Sequence, residues 1–247
     1  MSGTAPDDRS QAEADVALAR LRVDALFTRN PQGGLLTLNE LEPVPPPSPA
    51  PRIYLGLTAG GIVHGYRQDV TALLQTALEQ YCRDATLLTP SHDERLSALR
   101  DVLETNEPRR TWTIAIGPAY VFPSVMQQSA EVIAIEPGQE SLLAEHFPFT
   151  ATWLSERWPC YGIVVDGHAV SICYSARRTN AVAEAGVDTV EICRGRGYAA
   201  LVTAAWATAI RAAGITPVYS TSGDNLASQA VARKLGLRLF CRDVQVE

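Results

Sequence analysis

Two glycines interleaved with two arginines, Arg194-Gly195-Arg196-Gly197, stand between a run of strand-forming residues and a run with helical spacing. Backbone N–H groups at a helix start have no partner inside the helix, and the helix dipole adds partial positive charge there. Glycine lets an anion approach such backbone closely, and the two arginines add full charges where a phosphate would lie. The segment therefore has the chemistry of a phosphate-binding loop. The dinucleotide fingerprint needs a third glycine at GxGxxG spacing, and the triphosphate loop needs Gly-Lys-Ser/Thr; neither pattern is present.

Other reactive residue types form no comparable cluster. The five cysteines (Cys82, Cys160, Cys173, Cys193, Cys241) include no CxxC pair, and the four histidines are far apart, so no metal-ligand spacing is found. Reduced, buried thiols in a cytoplasmic protein are expected. Cys160 or Cys173 beside His168 could suggest a nucleophile and its base, but both cysteines fall in apolar strands and His168 at a hairpin turn.

The elements that must position the loop are regular after residue 150. Cys160 to Val165 and Ala169 to Tyr174 read as strands joined by Asp166-Gly167, a pair suited to a tight hairpin turn. A third strand, Ala181 to Val190, leads into the loop, and a helix follows from Tyr198 to Ala213, with Val202, Trp206 and Ile210 repeating every four positions and Gly214 as its cap. Thr216 to Ser220 reads as a strand, Asp224 as the cap of a helix running to Leu235, and Leu237 to Val246 as the last strand.

Before residue 150 the chain reads as mixed α/β with no chemical motif. Residues 1–11 read as disordered, Ala12 to Thr28 as an amphipathic helix, and Leu35 to Leu38 as a short apolar segment. Six prolines between Pro43 and Pro51 require an extended connector. A hairpin is expected over Arg52 to Tyr66 about Thr58-Ala59-Gly60-Gly61. Helices follow over 70–83 and 92–105, strands over 112–116 and 131–135, and a helix over 139–147.

Net charge is −6 and 19% of the 247 residues are charged, which argues against binding a polyanion such as nucleic acid. No apolar run is long enough to span a membrane.

The string Arg194-Gly195-Arg196-Gly197-Tyr198-Ala199 resembles the Q/R-x-x-G-x-G/A signature of the GCN5-related N-acetyltransferase (GNAT) superfamily. Downstream, Asn225-Leu226-Ala227-Ser228 followed by Arg233-Lys234-Leu235-Gly236-Leu237 resembles the superfamily's asparagine-led helix and its Lys-Leu-Gly-Phe-like stop. The segment Glu184 to Leu237 looks most like the FR47-like branch.

The resemblance implies an α/β (α+β) fold: a C-terminal GNAT-like mixed sheet flanked by helices over residues 151–247, preceded by a mixed α/β region over 1–150. That first region could be a degenerate acetyltransferase-like half. It implies acetyl-CoA as acyl donor without a metal, an amine as acceptor, no nucleic acid or membrane partner, and a homodimer, since relatives are often dimeric. By position, Val187, Asp188, Thr189 and Val190 would pair with the pantetheine arm. The amides of Arg194, Gly195, Arg196, Gly197, Tyr198 and Ala199 would hold the pyrophosphate, and Asn225 and Ser228 would also contact the cofactor.

An alkylamine is mostly protonated at pH 7, so the implied reaction needs a base. Glu184, on the strand before the loop, is the first candidate, with Asp188 and Glu191 as alternatives. Many relatives carry a tyrosine that protonates the departing thiolate, and Ala232 stands at that position here. Ser228 or Tyr219 could replace it, or the thiolate could leave unaided. The acceptor could be a small molecule or a protein amine, and a binding module without turnover stays open.

Overall fold

In a computed structural model, residues 8–42, 45–87 and 92–247 are described. In chain order the elements are α1 (Asp8–Leu26), β1 (Phe27–Arg29), β2 (Leu35–Leu38), β3 (Ile53–Thr58), β4 (Gly61–Tyr66), α2 (Ala72–Leu87), α3 (His92–Asn106), β5 (Ile114–Val121), β6 (Ile133–Ala134), α4 (Pro148–Thr152), β7 (Tyr161–Val165), β8 (His168–Arg178), β9 (Val182–Thr189), α5 (Tyr198–Ala212), β10 (Thr216–Ser220), α6 (Leu226–Lys234) and β11 (Arg238–Val246). The described residues form two units: 8–38, 48–87, 92–118 and 240–247 in one, and 39–42, 45–47 and 119–239 in the other. The chain passes from the first unit to the second within β5 and returns within β11.

In the first unit, β3 pairs antiparallel with both β4 and β11. Leu55, Leu74, Leu78, Leu99, Leu103 and Val244 form its fully buried core. Arg22, on α1, is buried, and its guanidinium lies 2.6 Å from Asp243 Oδ1, which also accepts a 2.7 Å hydrogen bond from Tyr54 Oη. A buried ion pair of this kind is tolerated only with its partners in place, so it fixes how α1 sits on these strands.

The second unit is a mixed sheet with helices. The last residues of β5 pair antiparallel with β10, β10 pairs parallel with β9, and β9, β8, β7 and β6 continue antiparallel. Asp166 and Gly167 have φ of 50° and 84°, the left-handed pair that a two-residue hairpin between β7 and β8 requires. Helix α5 presents Val202, Trp206 and Ile210, all fully buried, to a core that includes Ala183, Cys173 and Tyr219.

Several expectations are corrected. Residues 8–11 begin α1 rather than a disordered stretch; residues 1–7 lie outside the described set, as do Pro43 and Val44 of the proline connector. The first helix stops at Leu26 and Phe27–Arg29 forms a strand instead. Asn30 Oδ1 accepts bonds from the amides of Gln32 and Gly34, which closes a turn, and Phe27 packs edge-on against Tyr54. The helix expected over 139–147 is a single 3-10 turn, Glu140–Leu142, and the α-helix begins only at Pro148. Proline suits a helix's first turn, where no intrahelical N–H bond is lost.

Candidate functional site

The parallel register of β10 and β9 covers Thr216↔Val182, Pro217↔Ala183 and Val218↔Glu184. It stops there, although β9 runs on to Thr189 and β10 to Ser220. Among the described residues no strand pairs with this edge of β9 beyond Glu184, so an extended ligand could add to it as a strand would. A bulge sits beside the divergence, where β8 spends Ser175, Ala176 and Arg177 against Ala185 and Glu184.

Strand alternation sorts the residues of β9. Ala183, Ala185 and Val187 join the core under α5, and Glu184, Gly186 and Asp188 face the other way. Glu184 is buried, and Ser220 Oγ lies 3.4 Å and 3.3 Å from its two carboxylate oxygens. Gly186 is closed over by the Tyr174 ring: a Cβ built on it would stand 2.4 Å from Tyr174 Cε2. The Tyr174 hydroxyl donates to Asp188 Oδ2 at 3.0 Å, so this alternative base is already engaged, and Glu191 is exposed on the following turn.

The chain leaves β9 through a 3-10 turn, Glu191–Cys193, anchored by the buried Cys193 side chain. Val190 has both backbone groups committed, its N–H to Val170 O and its carbonyl to the Cys193 amide, each at 2.9 Å. The Arg194 amide likewise donates to Glu191 O at 3.0 Å. The Val190 and Arg194 amides are thus both spent within the protein, and the Arg194 guanidinium donates to Thr189 O at 3.4 Å. Among the described residues, the amides of Gly195, Arg196, Gly197, Tyr198 and Ala199 have no protein acceptor.

Gly195 and Gly197 hold φ of 77° and 84° in the left-handed region, and Gly197 is the N-cap of the fifteen-residue α5. A Cβ on Gly197 would stand 2.2 Å from Lys234 Nζ. The only lysine of the chain therefore reaches from the end of α6 to the cap of α5. The loop fits a diphosphate on two counts, a run of unspent amides at a helix start and a cradle that a side chain would fill. Sequence spacing gave no sign of Lys234, because its proximity to Gly197 arises only when α6 packs beside α5.

Asn225, not Asp224, caps α6: its Oδ1 accepts the Ser228 amide at 2.9 Å, which leaves the side-chain NH₂ as its donor toward a ligand. Ser228 Oγ lies 2.6 Å from Tyr219 Oη on β10. Burial pushes the Tyr219 phenol up to about 12, against the smaller opposing effect of the Ser228 bond. Ala232 is fully buried and offers no hydroxyl.

The remaining candidates offer no ready chemistry. Cys160 and Cys173 are buried and their thiols pushed up, that of Cys160 to about 12, so neither is a ready nucleophile. His168 instead faces the Glu145 carboxylate at 3.0 Å. Arg178 stacks on Trp158 and donates to its carbonyl, covering the strand end. Among the described residues no group of three or more His, Cys, Asp or Glu could hold a metal ion.

Residues 72–241 match the family described as GNAT acetyltransferase. The match starts at α2, well before the segment that carries the sequence motifs. Among solved structures, the chain is similar to a GCN5-related N-acetyltransferase from Sphaerobacter thermophilus (14% identity over 97% of this chain and 89% of that one, TM-score 0.48). It is similar as well to one from Kribbella flavida (13%, 97% and 96%, TM-score 0.44). An acetyltransferase of the GNAT family from Colwellia psychrerythraea aligns at 16% identity over 56% of this chain, with a TM-score of 0.45, and only 57% of that protein is spanned. No protein of curated function matches the chain.

Proposed function

Because the chain belongs to the GNAT acetyltransferase family, we propose that it moves the acetyl group of acetyl-CoA to a primary amine of a small molecule, by direct transfer within a ternary complex. The observation that carries the reading is the parting of β9 from β10 at Glu184, with unspent loop amides at the far end of the same strand.

Acetyl-CoA, when bound, supplies an acetyl group activated as a thioester. The amides of Gly195 to Ala199, with Arg194, Arg196 and Lys234 around them, hold its diphosphate. Val187, Asp188 and Thr189 offer the open edge of β9 to the pantetheine arm, and the Asn225 NH₂ donates to it. Glu184 receives a proton from the ammonium form of the acceptor, so that the nitrogen presents a lone pair; Ser220 holds the carboxylate in place. A backbone N–H of β9 polarises the carbonyl under attack. Ser228 Oγ, bonded to Tyr219, gives a hydrogen bond to the departing sulfur. The proton that Glu184 takes from the ammonium passes on to solvent; the second, lost from nitrogen as the N–acetyl bond replaces an N–H and the C–S bond breaks, balances the one that ends on the free thiol.

The segment Glu184 to Leu237 supports placement with the FR47-like branch. Five free, buried cysteines support a reducing, cytoplasmic setting, and we take a homodimer as the working assembly. The absence of a hydroxyl at Ala232 favours one second reading, an acyl-CoA-binding module without turnover. A thiol-release assay with acetyl-CoA and a panel of primary amines, including lysine-bearing peptides, separates these. Turnover of a small amine, lowered at least 100-fold in Glu184→Gln, supports the proposal; binding of acetyl-CoA with no thiol release on any amine sinks it.

A further inference from the structure

Arg177 on β8 is the cross-strand partner of Glu184 and shares its face of the sheet. The bulge at Ala176 leaves the two residues as neighbours across the strands. Arg177 is half-buried, its Nε is sealed from solvent, and no described residue gives it a hydrogen bond or an ion pair. Its neighbours differ in this respect. Arg157 is closed off by the Glu42 carboxylate, by Thr150 Oγ1 at 3.0 Å and by the Phe149 and Tyr174 rings. Arg178 has Trp158. One guanidinium without a partner among the described residues is thus left beside the carboxylate that receives the amine.

The sealed Nε–H is out of a ligand's reach, and the ligand contact falls to the terminal Nη groups of this half-buried side chain, a planar fork that a carboxylate satisfies best. The spacing of cross-strand neighbours suits a molecule whose amine and anionic group are a few bonds apart. We propose that Arg177 is the anchor for a carboxylate of the acceptor, so that the amine acetylated belongs to an amino acid or a similar aminocarboxylate. This rests on the acetyltransferase reading above and narrows its substrate class. Arg177 would set specificity, not chemistry: it binds the anionic group and brings the nitrogen to Glu184.

The test is turnover by the 247-residue chain of matched amine pairs that differ only in the anionic group: glycine against methylamine, β-alanine against ethylamine, and aminomethylphosphonate as the phosphonate counterpart. The carboxylated member is expected to have the higher kcat/KM by about 10- to 100-fold. Arg177→Gln should raise its KM by a similar factor with kcat within about threefold, and leave the plain amine unchanged, with Arg177→Lys recovering part of the loss. Preference for the phosphonate would keep the anchor but replace the carboxylate. Preference for the plain amine, or an equal loss on both members in Arg177→Gln, would overturn the anchor while the acetyltransferase reading stands. If no amine of any class is turned over although acetyl-CoA binds, the reading beneath it fails and the anchor fails with it.

Discussion

Tyr219 Oη lies 2.6 Å from Ser228 Oγ, joining a buried phenol on β10 to a hydroxyl in the first turn of α6. Burial disfavours the phenolate and holds Tyr219 at about 12, so it remains a donor throughout the neutral and mildly alkaline range. The bond holds the Ser228 hydroxyl in place, and with Tyr219 as the donor the serine proton is left to face the leaving sulfur. Ser228→Ala is expected to lower kcat by about 100-fold and Tyr219→Phe by about 10-fold, with little change in acetyl-CoA affinity. The pH–rate profile of the wild type should show no alkaline fall with an apparent pKa near 10. Unchanged kcat in Ser228→Ala would remove this pair from the reaction.

Lys234 supplies a second test of the loop. Its Nζ lies where a Gly197 side chain would be, so removing the charge should weaken the diphosphate site without straining the backbone. Lys234→Gln is predicted to weaken acetyl-CoA binding by about fivefold at low salt, and by less as salt rises. Titrations at two ionic strengths check this; equal affinity at both would place the diphosphate elsewhere.

The Arg22–Asp243–Tyr54 network makes a prediction about stability alone. Asp243→Ala leaves the Arg22 guanidinium buried without its counter-charge and should cost about 3–5 kcal/mol. Chemical denaturation of the variant measures it. A double change, Arg22→Met with Asp243→Leu, should recover much of the loss, because both charges then disappear together.

Gly186 lies beneath the Tyr174 ring, and no Cβ fits there without displacing it. Gly186→Ala is expected to lower stability by about 1–3 kcal/mol and to break the Tyr174–Asp188 hydrogen bond. Thermal melts of the single variant and of Gly186→Ala with Tyr174→Ala should show the second change suppressing most of the first. Additive losses would mean that the cost of Gly186→Ala does not come from its clash with the ring.

What the residues declared in advance was local. The Asp166-Gly167 turn, the stripe of α5 and the glycines at 195 and 197 each follow from the conformational needs of two to four adjacent residues, and the structure has them where the sequence put them. Phe27–Arg29 departs from the helix pattern because contacts to Leu35–Leu38 and to Tyr54 outweigh helical spacing. Asn225 displaced Asp224 as a cap by one residue, a choice between two competent side chains that spacing does not make. Lys234 beside Gly197, Arg177 opposite Glu184 and Tyr219 against Ser228 join residues from different elements, so only packing and strand register reveal them.

The measurement that bears most directly on the account is a calorimetric titration of the 247-residue chain with acetyl-CoA, and with CoA as competitor. The account predicts saturable binding with micromolar affinity, one site per chain, weakened in Lys234→Gln. A folded sample that takes up neither ligand would contradict it and leave the loop as an anion-shaped turn without a donor.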